Sequence, residues 1–243
     1  MINKLKPWRR KQIFNPDFLG VFINPFFFAR RGLYRGISNY ASDIKGKVLD
    51  VGCGQKPYQH LFTTTSYIGM DIEQSGHSHQ DESIDVFYDG RTFPFEDASF
   101  DNALTNQVFE HVFNPNEFLK EINRVLKPGG HLLITVPFVW DEHEQPYDYA
   151  RYSSFGLTHV LKLNGFEIVS FTKSVNNFTV IAQLTILFFY KKMVNRNKFW
   201  NNIVVPSLLS PITITGIIVS KLTPNSTDLY LDNIVLAKKL NKG

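Results

Sequence analysis

Lys47-Val-Leu-Asp-Val-Gly-Cys-Gly54 is the most informative stretch of the chain. Its first five residues form a short apolar run that ends at a glycine, the pattern of a buried strand. Gly52 and Gly54 let the chain turn tightly and pass close to a ligand where any Cβ would clash. Two acidic residues follow at comparable places. Ser66–Met70 predicts a second strand and Asp71 ends it, about twenty residues beyond the loop, where a carboxylate can accept both hydroxyls of a ribose. Asp85–Tyr88 predicts a third strand, and Asp89-Gly90 closes it with a second carboxylate able to accept an exocyclic amine. In such sheets, ligands bind outside the carboxyl ends of the strands. The third glycine of the dinucleotide fingerprint is missing, and Pro57 stands in its place. A pyrophosphate at the following helix N-terminus is therefore disfavoured.

Working outward, Asn24-Pro25 predicts the start of a helix that runs to about Tyr40. Phe100–Thr105 predicts a fourth strand, and Asn114-Pro115 opens a helix with Phe118, Ile122, Val125 and Leu126 on one face. Lys127-Pro-Gly-Gly130 is expected to stop it abruptly. His131–Val136, Phe166–Thr172 and Tyr230–Ala237 predict three more strands, with a helix over Leu157–Leu163 that Asn164-Gly165 caps. Strands alternating with helices imply an α/β fold, a parallel sheet covered by helices on both faces. The economical division is a helical extension over 1–43 and one domain over 44–240, with a helical insertion over 176–226 before the last strand.

The chain has 243 residues, 43% of them hydrophobic, enough for one sizeable core and too apolar for disorder. A single cysteine, Cys53, excludes an intrachain disulfide framework and a cysteine-based zinc site. It reads as a small packed residue of the turn rather than a nucleophile. The net charge of +4 conceals a division. Residues 1–47 carry ten lysines and arginines against Asp17 and Asp43. Residues 48–175 carry eight against eighteen acidic residues, and residues 176–243 carry eight against Asp228 and Asp232. An acidic centre lies between two basic ends, a statement about partners rather than fold.

The chain resembles class I S-adenosylmethionine-dependent methyltransferases of the type 11 group over about residues 45–172. The matching pieces are Leu49–Gly54, Tyr67-Ile-Gly-Met-Asp71, Phe93-Pro-Phe-Glu-Asp-Ala-Ser-Phe-Asp101, Val108-Phe-Glu-His111 and Arg124-Val-Leu-Lys-Pro-Gly-Gly130. The resemblance implies a Rossmann-like seven-stranded, mostly parallel sheet whose last strand runs antiparallel. It implies S-adenosyl-L-methionine as cofactor. Asp50, Gly52 and Gly54, with Cys53 in the same loop, would surround its methionine part. Asp71 and the adjoining Ile72 would meet the ribose, Asp89 and Gly90 the adenine, and Asn106 and Gln107 the sulfonium end. A narrower likeness, on Gln55-Lys-Pro-Tyr58 and Pro137–Tyr152, is to a subset associated with bacterial cell-surface polysaccharide and glycolipid biosynthesis. It implies O-methylation of a sugar on a small-molecule or lipid-linked acceptor. The alternatives are a polyprenyl-quinone methyltransferase and a non-catalytic cofactor-binding scaffold.

Methyl transfer is an in-line displacement, so positioning carries much of the rate, and a hydroxyl acceptor also needs a base. The loop Trp140–Arg151 is dense in suitable groups. His143 is the first choice as base because its ordinary pKa lies near working pH. Asp148 can orient it, and Arg151 can bind a phosphate or carboxylate through its fork. Tyr147, Tyr149 and Tyr152 offer amphipathic faces to an acceptor. His111 joins the substrate-binding set, with bracing of the loop as its alternative role. No metal site is expected: Asp141, Glu142, His143 and Glu144 are neighbours that cannot all face one ion, and no second histidine stands at helical spacing. His77 and His79 read as solvated loop residues.

The ends interleave cations with large apolar side chains. Trp8, Phe14, Phe18, Phe22 and Phe26–Phe28 alternate with Arg9, Arg10, Lys11, Arg30 and Arg31, and Leu184–Tyr190 abuts Lys191, Lys192, Arg196 and Lys198. Ile203–Ser220 is uncharged but holds two prolines, which suits an interfacial helix better than a spanning one. Two readings stand: peripheral contact through 1–31 and 184–222 with the inner face of the cytoplasmic membrane, or a lid over the site. The first residues lack the cleavage site of a secretory signal, so a cytoplasmic location is expected. The acidic centre argues against nucleic acid as a partner.

Overall fold

The computed structural model describes residues 7–73, 83–194 and 198–241, the side chains of Lys198 and Phe199 excepted. His77 and His79 lie outside the described residues, as does Arg196.

The strands are β1 (Lys45–Val51), β2 (Thr63–Ile72), β3 (Val86–Tyr88), β4 (Phe100–Asn106), β5 (Leu126–Pro137), β6 (Phe166–Ser174) and β7 (Asp232–Lys239). They form one seven-stranded sheet in the order β3-β2-β1-β4-β5-β7-β6, mostly parallel, with the antiparallel final strand expected of the class. Strand β1 pairs in parallel with β2 on one side, Val51 opposite Met70, and with β4 on the other, Val51 opposite Thr105. The strand order reverses there, which opens a crevice at the carboxyl ends of β1 and β4.

The chain divides into two compact units. The first holds residues 36–172 and 233–243 and contains most of the sheet. Its core is built from β-strand residues such as Leu49, Met70, Ala103, Leu132 and Ile134, all shielded from solvent, together with the phenylalanines 93, 100, 109 and 166. Helices α3 (Pro115–Val125) and α4 (Ser154–Leu163) cover it. Phe118, Leu119, Ile122 and Val125 are the buried stripe of α3, spaced for one helical face. Ser153 caps α4, its side chain accepting from the Gly156 amide, and Gly165 at φ +81° ends it in the left-handed conformation that favours glycine. Arg124 on α3 fastens the preceding loop. It donates to the carbonyls of Phe93 and Phe95 and to the carboxylates of Asp97 and Glu121.

Lys127-Pro-Gly-Gly130 departs from expectation. It does stop α3, but β5 begins at once at Leu126 and runs through it. Leu126 pairs with Phe100 across a register shift, which accommodates the proline that cannot donate to the ladder.

The second unit holds residues 2–35 and 173–232, so the extension and the insertion cohere. Its helices are α1 (Pro7–Phe14), the first part of α2 (Phe27–Asn39), α5 (Thr179–Met193), α6 (Lys198–Val204) and α7 (Ser210–Ser220), the last two joined by a π-helical turn containing Pro206. α2 begins at Phe27, two residues after the expected start, and Asn24 shapes the turn before it: its Oδ1 accepts from the Phe26 amide, while its Nδ2 donates to the carbonyls of Gln12 and Ile13 at the end of α1. Phe27, Phe28, Ala182, Ile186, Val205 and Leu209 form a separate buried cluster. Gln183 is fully buried in it: its Oε1 accepts from the amides of Phe28 and Ala29, and its Nε2 donates to the Pro25 carbonyl. That bridge satisfies amides at the start of α2 that helix geometry leaves open.

Candidate active site

The glycine loop sits at the carboxyl end of β1. Gly52 has φ +72°, and a Cβ there would lie 2.3 Å from Val108 Cγ2, so only glycine permits this turn beside the loop that follows β4. The amides of Gly52 and Cys53 both donate to the Met70 carbonyl, and the Gly54 amide donates to Asp71 Oδ2 at 3.0 Å. Asp71 Oδ1 takes the amide of Ile72 at 2.9 Å. A buried carboxylate thus ties the loop to the end of β2, where it still has acceptor capacity. Asp50 is buried one residue before the strand's end and accepts from the Tyr67 hydroxyl at 2.6 Å. Burial pushes its carboxyl up to about 7, against the pull of that hydrogen bond. Cys53 is buried, and desolvation followed by the neighbouring carboxylates drives its thiol upward, which suits a packed residue.

Asp89 is exposed, and its Oδ1 accepts from the amides of Arg91 and Thr92, shaping the turn after β3. At the end of β4, Thr135 Oγ1 donates to Asn106 Oδ1 at 2.8 Å and accepts from the Gln107 amide and side chain. Gln107 sits at φ +56°, a turn that directs the chain toward His111. One feature escaped the sequence reading: Lys56 pairs with Asp85, which also accepts from the Gly69 amide at 2.7 Å. The two residues carry no local pattern that would reveal the pairing.

A cavity of about 310 Å³ opens in the first unit. Its walls include Ile72, Tyr88 and Gly90 from the expected cofactor side, and His111, Tyr147 and Tyr149 from the expected acceptor side.

The loop after β5 is organised by Asp148, whose side chain is only 4% exposed. Arg151 grips it with two hydrogen bonds, Nη1 to Oδ1 at 2.6 Å and Nη2 to Oδ2 at 2.7 Å, and the His143 amide donates to Oδ2 at 2.9 Å. Burial opposes ionisation of Asp148, but the guanidinium and the amide outweigh it and hold the carboxyl below its ordinary value. The second protons of both Arg151 Nη atoms go to the carbonyls of Ala150 and Asp141. The Arg151 fork is therefore committed inside the chain, not presented to a phosphate or carboxylate as the sequence suggested. With those protons spent, His143 Nδ1, 3.2 Å from the Asp141 carbonyl and 3.4 Å from Asp148 Oδ2, is the donor of that contact. Its Nε2 is left as the acceptor nitrogen.

Tyr152 also differs from expectation. Its ring packs on Phe109 at 4.9 Å against the core, and its carbonyl accepts from Asn233, so it anchors the loop. Tyr147 and Tyr149 remain about half exposed. His111 is brought to His143, ring centroids 4.7 Å apart, and its Nδ1 meets the Tyr147 carbonyl at 2.9 Å. Burial lowers the pKa of His111, favouring the neutral ring. No spacing rule in the sequence links His111 and His143, which lie on two different loops.

Residues 49–134 match the family model described as a methyltransferase domain. Over 104 residues the chain is 36% identical to phthiotriol/phenolphthiotriol dimycocerosates methyltransferase 1 of Mycobacterium ulcerans, covering 38% of each. Over 106 residues it is 34% identical to a fatty-acid O-methyltransferase of Mycolicibacterium smegmatis, covering 39% of this chain and 38% of that one. The match thus spans well under half the length of these curated relatives. Among solved structures, an S-adenosylmethionine-dependent methyltransferase from Thermotoga maritima superposes with a TM-score of 0.53 at 17% identity, covering 96% of this chain and 99% of the other. Residues 49–134 thus match a methyltransferase domain, and the glycine loop, the acidic strand ends and the strand order support the class I S-adenosylmethionine-dependent type. Its cofactor is S-adenosylmethionine.

Proposed function

We propose that this chain O-methylates a hydroxyl of a small molecule carried on a lipid, a lipid-linked sugar being the acceptor we favour. The observation that carries the reading is a cavity whose wall joins Ile72 and Gly90 to His111, Tyr147 and Tyr149. The glycine loop, Asp50 and Asp71 would hold the methionine and ribose ends of S-adenosylmethionine, whose positive sulfonium suits an acidic surround. When bound, that cofactor supplies an electrophilic methyl carbon. The chain's own task is to present the acceptor and remove its proton. Tyr147 and Tyr149 give the acceptor flat faces. His143 Nε2 takes the hydroxyl proton, and Asp148 fixes the ring and stabilises the imidazolium that results, as a carboxylate behind a histidine does in other acyl- and group-transfer sites. The names of the two mycobacterial relatives, a phthiotriol dimycocerosate enzyme and a fatty-acid enzyme, support the lipid class.

Contact with an anionic membrane surface is the second part of the reading. In the second unit, Phe18, Leu19 and Ile23 are 72%, 51% and 45% exposed, far more than a soluble core would leave in one short turn. Nearby cations of the basic N-terminal segment would each add about 1 kcal/mol at an anionic surface. Residues Trp200–Ser220 have the length and apolarity to cross a membrane, but a third of that window is buried and Gly216 packs against Ala182 and Phe28, which favours lying on the surface.

The test is transfer of labelled methyl groups into organic-extractable material from the protein's own cells. His143→Gln should lower turnover about 10²–10⁴-fold with cofactor affinity unchanged. Full activity of that variant removes the base; label confined to the aqueous phase removes the lipid acceptor, and label in a quinone removes the sugar.

A further inference from the structure

We propose that Glu110, His111 and His143 form a binding site for a divalent transition-metal ion of the zinc type. One ligand atom from each lies within 4.8 Å of the others. Both imidazoles are anchored in the manner of ligands. His111 Nδ1 meets the Tyr147 carbonyl at 2.9 Å, and His143 Nδ1 meets the Asp141 carbonyl at 3.2 Å with Asp148 behind it. Metal-bound histidines usually fix their second nitrogen on a carbonyl or carboxylate, which frees the distal nitrogen for the ion. His111 Nε2 is buried, 3.9 Å from Glu110 Oε1 and 3.8 Å from Glu144 Oε2, too far for a hydrogen bond to either.

Those separations are close to what an ion requires. With metal–ligand distances near 2.1 Å, neighbouring ligands of a tetrahedral ion stand about 3.4 Å apart. The His111–glutamate distances need to close by only about half an ångström, and the widest separation by about 1.4 Å. His143, 31% exposed and set edge-on to His111 at an interplanar angle of 81°, has room to make that adjustment. Two imidazoles and one carboxylate favour zinc, iron(II), cobalt or nickel over magnesium and calcium, which prefer oxygen cages. With three protein ligands a tetrahedral ion keeps its fourth position open, and since His111 also lines the cavity, that position would face an acceptor oxygen. There a bound acceptor hydroxyl would lose its proton to Glu144, and His143, its Nε2 held by the ion, would act as ligand rather than base. The site itself does not depend on the proposed reaction.

The experiment is titration of tag-free, chelator-stripped protein with Zn²⁺ by calorimetry and with Co²⁺ by visible absorption. One equivalent should bind, with the intense bands of low-coordinate Co²⁺. His111→Ala and His143→Gln should each weaken binding by about 100-fold or more, beyond the cost of losing an outer-shell partner. Cofactor affinity and melting temperature, unchanged at least in the more exposed His143 variant, serve as the control for folding. Absence of saturable binding at one equivalent, or equal binding by both variants, overturns the site. Ion binding without methyl transfer would sink the proposed reaction and leave the site standing; metal-independent transfer by a chain that binds no ion would do the reverse.

Discussion

Replacing Asp148 by asparagine tests whether the loop after β5 rests on one charge pair. The native carboxylate receives two short bonds from Arg151, at 2.6 and 2.7 Å, and the His143 amide at 2.9 Å. Asparagine keeps one oxygen and turns an NH₂ group toward the guanidinium. Arg151, whose side chain is 23% exposed, then holds a largely buried charge with no counter-ion. Breaking a fully buried pair costs ~3–5 kcal/mol, and the partial access of water to Arg151 lowers the expectation to about 2–3 kcal/mol. In urea that moves the unfolding midpoint down by about 1 M at constant slope. Arg151→Gln should cost a similar amount, because it strands Asp148. The decisive measurement is the double variant. If the pair is the support, the double variant should cost little more than either single one, a coupling of about 2 kcal/mol. Additivity within about 0.5 kcal/mol would show that the pair does not support the loop and return Arg151 to the role of an anion-binding group.

Three further outcomes are expected. Asp71→Ala should weaken S-adenosylmethionine binding by at least about tenfold in calorimetry, since the Gly54 amide loses its partner and the ribose would lose the acceptor proposed for it; unchanged affinity would place the cofactor elsewhere. Gly52→Ala, forced to φ +72° with its Cβ against Val108, should cost about 2–4 kcal/mol and lower the melting temperature, and a neutral substitution would contradict the turn. Asp50 gives a pH dependence. Its carboxyl is raised to about 7 in the folded chain, so between the unfolded value near 4 and about 7 the native state binds the extra proton. Stability of the cofactor-free protein should fall as pH rises through that window, by at most about 1.4 kcal/mol per unit. Asp50→Asn should flatten the slope in denaturant titrations at successive pH values, and an unchanged slope would remove Asp50 as its source.

The strands were legible because most hold a short apolar run, and in β1, β2 and β3 that run is closed by glycine or a carboxylate. β5 was misjudged at its start because Pro128 and Gly129 break helices; the same residues are tolerated in a strand that a register shift relieves. The loop proposed for the cofactor could be placed for a similar reason: Gly52, Gly54 and Asp71 stand at strand ends, which the sequence marks. Asp148 and His143 were readable as neighbours on one loop. What stayed hidden were the pairings across the fold, Lys56 with Asp85, His111 with His143, and the committed fork of Arg151. Each depends on where two loops meet, which neither segment's residues encode alone.

Gln183 sets a timetable for synthesis. Its side chain completes the start of α2 across a separation of 155 residues. At 5–20 residues per second, a ribosome takes about 8–30 s to supply it after Phe28 has been made. For that interval Phe27 and Phe28 lack Ala182, Ile186, Val205 and Leu209 of their cluster, Phe26 lacks Tyr190, and the intervening sheet domain emerges first. The nascent helix is then a sticky amphiphile, open to chaperones and to any nearby bilayer before the unit that contains it has closed.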